Sequence, residues 1–110
     1  MVNSRQKGKR TELELAHKLT ELTGMECRRS QQYAGINGDA DVIGLPFLHI
    51  ESKAVEKLRL REAMSQSEND AKEDEIPVVM HKQNRKPWLV TLNLEDFITL
   101  YKAWLKEWQE

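Results

Sequence analysis

Cysteine is almost absent: Cys27 stands alone among 110 residues. One thiol excludes an internal disulfide and is too little for a thiolate metal site, so a reducing compartment fits and a cytoplasmic location is expected. No run approaches the eighteen or so apolar residues of a membrane span, and the N-terminus carries no apolar signal region, so no membrane association is expected. Internal repeats, low-complexity tracts and linkers are also missing. There is no excess of charge: 17 basic against 18 acidic residues give a net charge of −1, which argues only against a bulk polycation as partner.

What is present fits one compact unit. At 110 residues, 39% of them apolar and 32% charged, the chain reads as a single domain over residues 1–110, able to form a core yet small enough to gain from dimerisation. Charge is distributed unevenly. Arg5, Lys7, Lys9 and Arg10 precede any acid, and Arg28 and Arg29 follow the first expected helix. Local basic patches of this kind can hold phosphates, although a solvated N-terminal tail has the same composition.

The spacing predicts a helix from about Arg10 to Thr23, ending at Gly24, with residues 1–9 frayed. Leu15, Ala16, Leu19 and Leu22 share one face, and Glu12 lies near its centre. A carboxylate there needs a cation or hydrogen bonds, unless it merely caps a frayed first turn, where acids favour the helix dipole. Met25–Ser30 reads as a strand and Gln31–Gly38 as a polar loop with Gly35 and Gly38. Glu56–Lys72 reads as a weakly apolar helix. Ile76–His81 and Pro87–Leu92 read as two strands separated by a turn. After Asn93, which with Asp96 resembles a capping box, Leu94, Phe97, Ile98, Tyr101, Leu105 and Trp108 line a long helical face that Trp104 widens. Aromatics on a terminal helix usually mean core; a partner surface is the other reading. The order αβββαββα describes an α/β fold, a mixed central sheet flanked by helices.

The stretch that organises the chain is Gly38–Lys53. Two strands, Asp39–Ile43 and Leu48–Ala54, are joined by a turn with Gly44 and Pro46. An antiparallel hairpin centred on Pro46 sets Asp41 against Glu51. Like charges directly across a ladder, with Cβ atoms about 5 Å apart, are destabilising and call for a divalent cation. Alternation places Lys53 on the Glu51 face. Glu12, Asp41, Glu51 and Lys53 thus converge as an open site of hard oxygen ligands, suited to Mg²⁺ or Mn²⁺, beside an ammonium group. Such an ion polarises a phosphoryl oxygen and acidifies a bound water, and Lys53 would orient that water or offset charge on the phosphate, so the expected reaction is phosphodiester hydrolysis. Asp39, a second acid able to assist the metal, shares the Asp41 face opposite Lys53 and reads rather as its ion-pair partner. His49 shares the Glu51 face, which would bring it near the site, but a lone strand histidine is more often surface or core filler.

A lone Glu-x-Lys is uninformative in a chain so rich in both residues. Its placement after an Asp-bearing strand carries the weight. The set Asp41, Glu51-Ser52-Lys53 resembles the PD-(D/E)xK nuclease superfamily. Lys7-Gly8, Glu12, Arg28 and Asp41 with that triplet resemble, more narrowly, the archaeal-type Holliday junction resolvases that also occur in phages. The likeness covers the first half of the chain; from Glu56 onward it rests on element order. It implies a restriction-endonuclease-like core and a Mg²⁺-dependent endonuclease, with Mn²⁺ as substitute, acting as a homodimer that makes paired nicks in four-way DNA junctions. By matching position it makes Glu12, Asp41 and Glu51 metal-linked acids, the Ser52 carbonyl a further ligand and Lys53 the catalytic lysine. Lys7, Lys9, Arg10, Arg28, Arg29 and Ser30 become DNA contacts, and no nucleotide cofactor is implied. Ala40 stands where the pattern has Pro, and Ser30 lies earlier than the family's flap serine. A nicking or flap-cutting nuclease of phage recombination is the alternative within the superfamily; a non-catalytic DNA-binding module is the alternative outside it.

Overall fold

In a computed structural model that describes residues 4–30 and 40–109, the chain runs α1 (Ser4–Thr23), β1 (Arg28–Arg29), β2 (Val42–Ile43), β3 (Leu48–Ala54), α2 (Leu60–Asp70), β4 (Ile76–Lys82), β5 (Leu89–Leu92) and α3 (Leu94–Gln109). This is the expected order. The polar loop with Gly35 and Gly38, and Asp39 after it, lie outside the described residues. The five strands form one sheet in sequence order, β1-β2-β3-β4-β5. β3 and β4 are parallel because α2 carries the chain back across the sheet; the other neighbours are antiparallel.

Helices cover the two faces because strand residues alternate. Leu15, Ala16 and Leu19 of α1 bury against Cys27, Val42, Ile50, Val78 and Met80. Ala63 and Met64 of α2 bury against Val79 on the opposite face, with Leu58 beside them. Ser67 of α2 is fully buried; its hydroxyl lies 3.1 Å from the His49 carbonyl and 3.2 Å from that of Val78, so it ties the helix to β3 and β4 at once.

Several boundaries differ from those expected, each for a local reason. α1 begins at Ser4 instead of near Arg10; Lys, Gln and Arg are good helix formers, and once a helix is nucleated each added residue gains a hydrogen bond. Leu22, expected on the buried stripe, is 71% exposed in the last turn of α1. β1 shrinks to Arg28–Arg29 because the backbone of Cys27 is taken by a side chain: its N–H donates to Thr20 Oγ1 at 2.9 Å, and its carbonyl lies 3.3 Å from the same hydroxyl. α2 starts at Leu60, since Glu56 is engaged elsewhere. The Glu56 carbonyl accepts from Gln83 Nε2 and its Oε1 from the Asn84 N–H, both at 2.9 Å, which anchors the segment to the β4–β5 turn. β5 starts after Pro87, which has no N–H to give a ladder.

The hairpin turn depends on Gly44. Its φ is +125°, and a Cβ there would lie 2.4 Å from the Glu26 carbonyl oxygen and 2.7 Å from Cys27 Cα. Gly24, at the end of α1, also has positive φ, +74°, but open space around it. Gly44→Ala is therefore expected to destabilise by about 2–4 kcal/mol through combined backbone strain and overpacking, and Gly24→Ala by about 1 kcal/mol. Urea unfolding monitored by circular dichroism measures both, and equal effects would contradict this account of the turn.

Candidate active site

The hairpin register is the one the turn demands. Val42 lies opposite Ile50, and the Asp41 N–H donates to the Ile50 carbonyl at 2.9 Å. Ser30 N–H in turn donates to the Asp41 carbonyl at 2.9 Å, so Asp41 is held on both sides. Its carboxylate does not swing freely: Oδ2 accepts from the Ser52 N–H at 2.8 Å. The Asp41 and Glu51 carboxyls come within hydrogen-bonding reach of each other, as anticipated from the sequence. Burial, the charge of Glu51 and, more weakly, that of Glu12 push the Asp41 carboxyl up to about 7, against the pull of the Ser52 N–H.

Glu12 enters from α1, on the face opposite Glu51 by strand alternation, yet the charges of Glu51 and Lys53 are both felt at its carboxyl. The cation that its position called for is present. Arg29 Nε donates to Glu12 Oε2 at 2.8 Å, with both side chains partly exposed. Partial burial raises the Glu12 carboxyl, and the Arg29 hydrogen bond and charge hold it back only in part. Arg29, read from the sequence as a DNA contact, is thus engaged with an acid of the cluster. Ser30, read likewise, is buried, while Lys9, Arg10 and Arg28 are exposed and Lys7 is half-buried. Lys53 is half-buried on the Glu51 face. Ser52 Oγ is buried with no hydrogen-bond partner among the described residues.

His49 is the residue that sequence reasoning undervalued. It is 2% exposed, with Nε2 3.2 Å from Glu51 Oε1 and Nδ1 3.5 Å from Glu75 Oε1. Burial alone would lower its pKa; the hydrogen bond and charge of Glu51, joined by those of Glu75, outweigh that and raise it. The only sequence signal was its place two residues before Glu51 on one strand face. Asp70, at the end of α2, comes close enough that its carboxylate, His49 and Glu51 offer ligand atoms within 4.8 Å of one another. The Nε2 contact with Glu51 lets the ring orient that carboxylate. A shallow pocket of about 330 Å³ reaches His49 from the side of Phe47, Lys72 and Glu75 but does not include Asp41 or Glu51.

Acids on adjacent strands, a fixed backbone donor and an amine on the same face are the parts of a metal-assisted phosphodiesterase. Residues 3–109 match the family described as "Phage putative PDDEXK endonuclease". The chain belongs to that family. Its fold is similar to that of Hjc from Archaeoglobus fulgidus, a Holliday junction resolvase from an archaeal hyperthermophile. The TM-score is 0.55 at 19% sequence identity, over 78% of this chain and 72% of that one. At that identity the likeness is one of fold, a restriction-endonuclease-like core. No curated protein matches the sequence.

Nucleases of the PD-(D/E)xK type depend on a divalent metal, and the donor set here fits one. The ligand atoms are hard oxygens, and burial, with the charge of Glu51, pushes the Asp41 carboxyl up to about 7. A divalent cation would replace the proton held there.

This has a consequence for stability. The unfolded Asp41 loses its proton near pH 4, whereas the folded one keeps it to about pH 7. Between those values the folded state binds more protons, so its contribution to stability falls as pH rises and stays low above neutrality. Asp41→Asn is expected to flatten this dependence and to raise the stability of the metal-free protein at pH 8 by about 1–3 kcal/mol. Urea titrations at pH 4, 6 and 8 measure it; parallel pH profiles for the two proteins would contradict the raised pKa.

Proposed function

We propose that residues 1–110 form one nuclease domain that cuts DNA by hydrolysing phosphodiester bonds with a divalent ion, Mg²⁺ in the cytoplasm of the host cell with Mn²⁺ able to substitute. Its substrate is the four-way junction, cut by paired nicks from a homodimer. The observation that carries the hydrolytic reading is the opposition of half-buried Asp41 and buried Glu51, with Lys53 on the same strand face. The junction reading is supported by the Lys7-Gly8 pair ahead of Glu12 and by a fold similar to that of Hjc, which is itself a Holliday junction resolvase.

Asp41 and Glu51 would hold the ion, with the Ser52 carbonyl as a further ligand and Glu12 contributing from α1. When bound, the ion supplies a Lewis acid and an acidified water. Lys53 places its ammonium where charge accumulates on the phosphate, or fixes the attacking water, and acts in a site where burial strengthens such interactions. His49 orients Glu51, and Arg29 orients Glu12. Lys7, Lys9, Arg10 and Arg28 contact phosphates and position the duplex arms without reading bases, so structure decides where the cut falls; Arg29 and Ser30 reach DNA only from beside these.

On synthetic DNA, a four-way junction should be nicked with Mg²⁺ at least 10-fold faster than linear duplex or flap, and chelation should abolish cleavage. Lys53→Ala and Glu51→Gln should each lower the rate by about 10³-fold while the circular dichroism spectrum is kept. Equal rates on all three substrates would remove the junction and leave a nicking or flap-cutting enzyme of the same family. Failure of any metal to support cleavage would leave a DNA-binding module.

A further inference from the structure

α3 does not behave as a core helix. None of its residues is buried, and along it Leu94 is 74% exposed, Phe97 49%, Tyr101 45%, Trp104 54% and Trp108 73%. These five follow alternating steps of three and four residues, the seam spacing of a helix that pairs with another helix. The four aromatic rings form a continuous ladder, with successive centroids 6.2, 5.9 and 5.8 Å apart. The helix has little means of folding this face back onto its own sheet. Only Asn93 separates the end of β5 from the start of α3, whereas reversing direction takes a connection of several residues. The chain accordingly extends 54 Å along one axis against 28 and 27 Å across.

We propose that this face is the surface by which two copies of the chain associate, their α3 helices pairing antiparallel. The surface is of the required size. Large aromatic side chains bring about 150–250 Å² each when whole and these are about half exposed, so the rings offer on the order of 300–550 Å², and Leu94, Ile98 and Leu100 bring the face towards the lower end of the roughly 600–1,000 Å² per partner of a standard interface. Its composition of Phe, Tyr and Trp is that of an interface centre, where aromatics are enriched and charge is sparse. The helix dipoles set the direction: antiparallel pairing opposes them, whereas parallel pairing aligns them. The two-fold axis then passes near Tyr101, in the middle of the helix. This names the contact surface of the homodimer proposed above and rests on that reading for its purpose, though not for its physical argument.

Sedimentation equilibrium of the full chain between about 1 and 100 µM, without metal or DNA, tests it. The wild-type protein should have the mass of two chains at the upper end. Trp104→Glu, and Tyr101→Glu with it, should weaken association at least 100-fold while the circular dichroism spectrum is kept, because no buried group is touched. Thr99→Glu, on the far side of the helix, should remain dimeric. Direction is read separately: Leu94→Cys under oxidising conditions should form no disulfide between copies, since the two sites lie at opposite ends; the native Cys27 is buried and does not interfere. A monomeric wild type, which would leave the face to a different partner, or a Trp104→Glu protein that still dimerises would overturn the proposal. An efficient Leu94→Cys cross-link would overturn the antiparallel arrangement. None of these measurements depends on cleavage, so a failure here and a failure of the catalytic reading are told apart.

Discussion

Two carboxyls facing each other across β2 and β3 set the terms for the rest of the molecule. Asp41 and Glu51 cannot both ionise at short range in a poorly hydrated place without a compensating positive charge, and the protein surrounds them with groups that reduce the penalty without removing it. The Ser52 N–H donates to Asp41, His49 Nε2 lies against Glu51, and Arg29 takes Glu12. Each acid therefore has one oriented partner, and what remains uncompensated is the space between Asp41 and Glu51. Fixed donors of this sort would hold a ligand set in place ahead of an ion and lower the reorganisation required on binding.

That opposition is sustained by backbone, and by a small amount of it. β2 contributes two residues to the sheet, and its position comes from Gly44, whose missing side chain lets the Glu26–Cys27 backbone pass within contact distance. Thr20 in α1 holds Cys27 from the other side. A chain of short local contacts thus runs from the first helix through β1 to the hairpin, linking Asp41, just ahead of β2, to the helix that carries Glu12. β3, longer and buried on both faces, supplies the rigid part: Ile50 enters the core under α1 while His49 and Glu51 face the other way. The gathering of acids is in this sense a by-product of one central strand with an apolar side and an acidic side.

How much of this the sequence reveals depends on the range of the interaction. The hairpin register follows from alternation and a turn with Gly44 and Pro46, all within a dozen or so residues, and the expected facing of Asp41 and Glu51 is what the fold contains. That Glu12 needs a cation was also legible, because an acid on an apolar stripe is costly; which cation was not, since Arg29 reaches it only after β1 is laid against α1. His49 is the clearest case of missing information. Its surroundings, Glu75 before β4 and Asp70 at the end of α2, arrive through the parallel crossover, and no pattern around residue 49 reports that they will close over the imidazole. Boundaries failed for a related reason: a side chain, Thr20 or Glu56, claimed a backbone group that periodicity assigned to a strand or helix.

The apolar stripe of α3 shows the limit of reading periodicity as burial. A 3.6-residue pattern states that one side of a helix avoids water, not what covers that side. In α1 and α2 the covering surface is the sheet, because each is joined to the strands by connections that let it lie across them. In α3 the single-residue link at Asn93 denies that geometry, and the same signal then describes an outward surface. A domain with so small an internal core has reason to place apolar area outside: two copies that buried it against each other, as proposed, would stabilise both bodies and hold two acidic centres at a fixed separation. The rigid element that connects assembly to chemistry would then be β4 with β5, since β4 lies parallel to the strand bearing Glu51 and Lys53 and β5 leads directly into the exposed helix. A disturbance of the helix pairing would reach the acids only by moving the sheet as a unit, so the spacing of two sites and the geometry within each are separable properties of this chain.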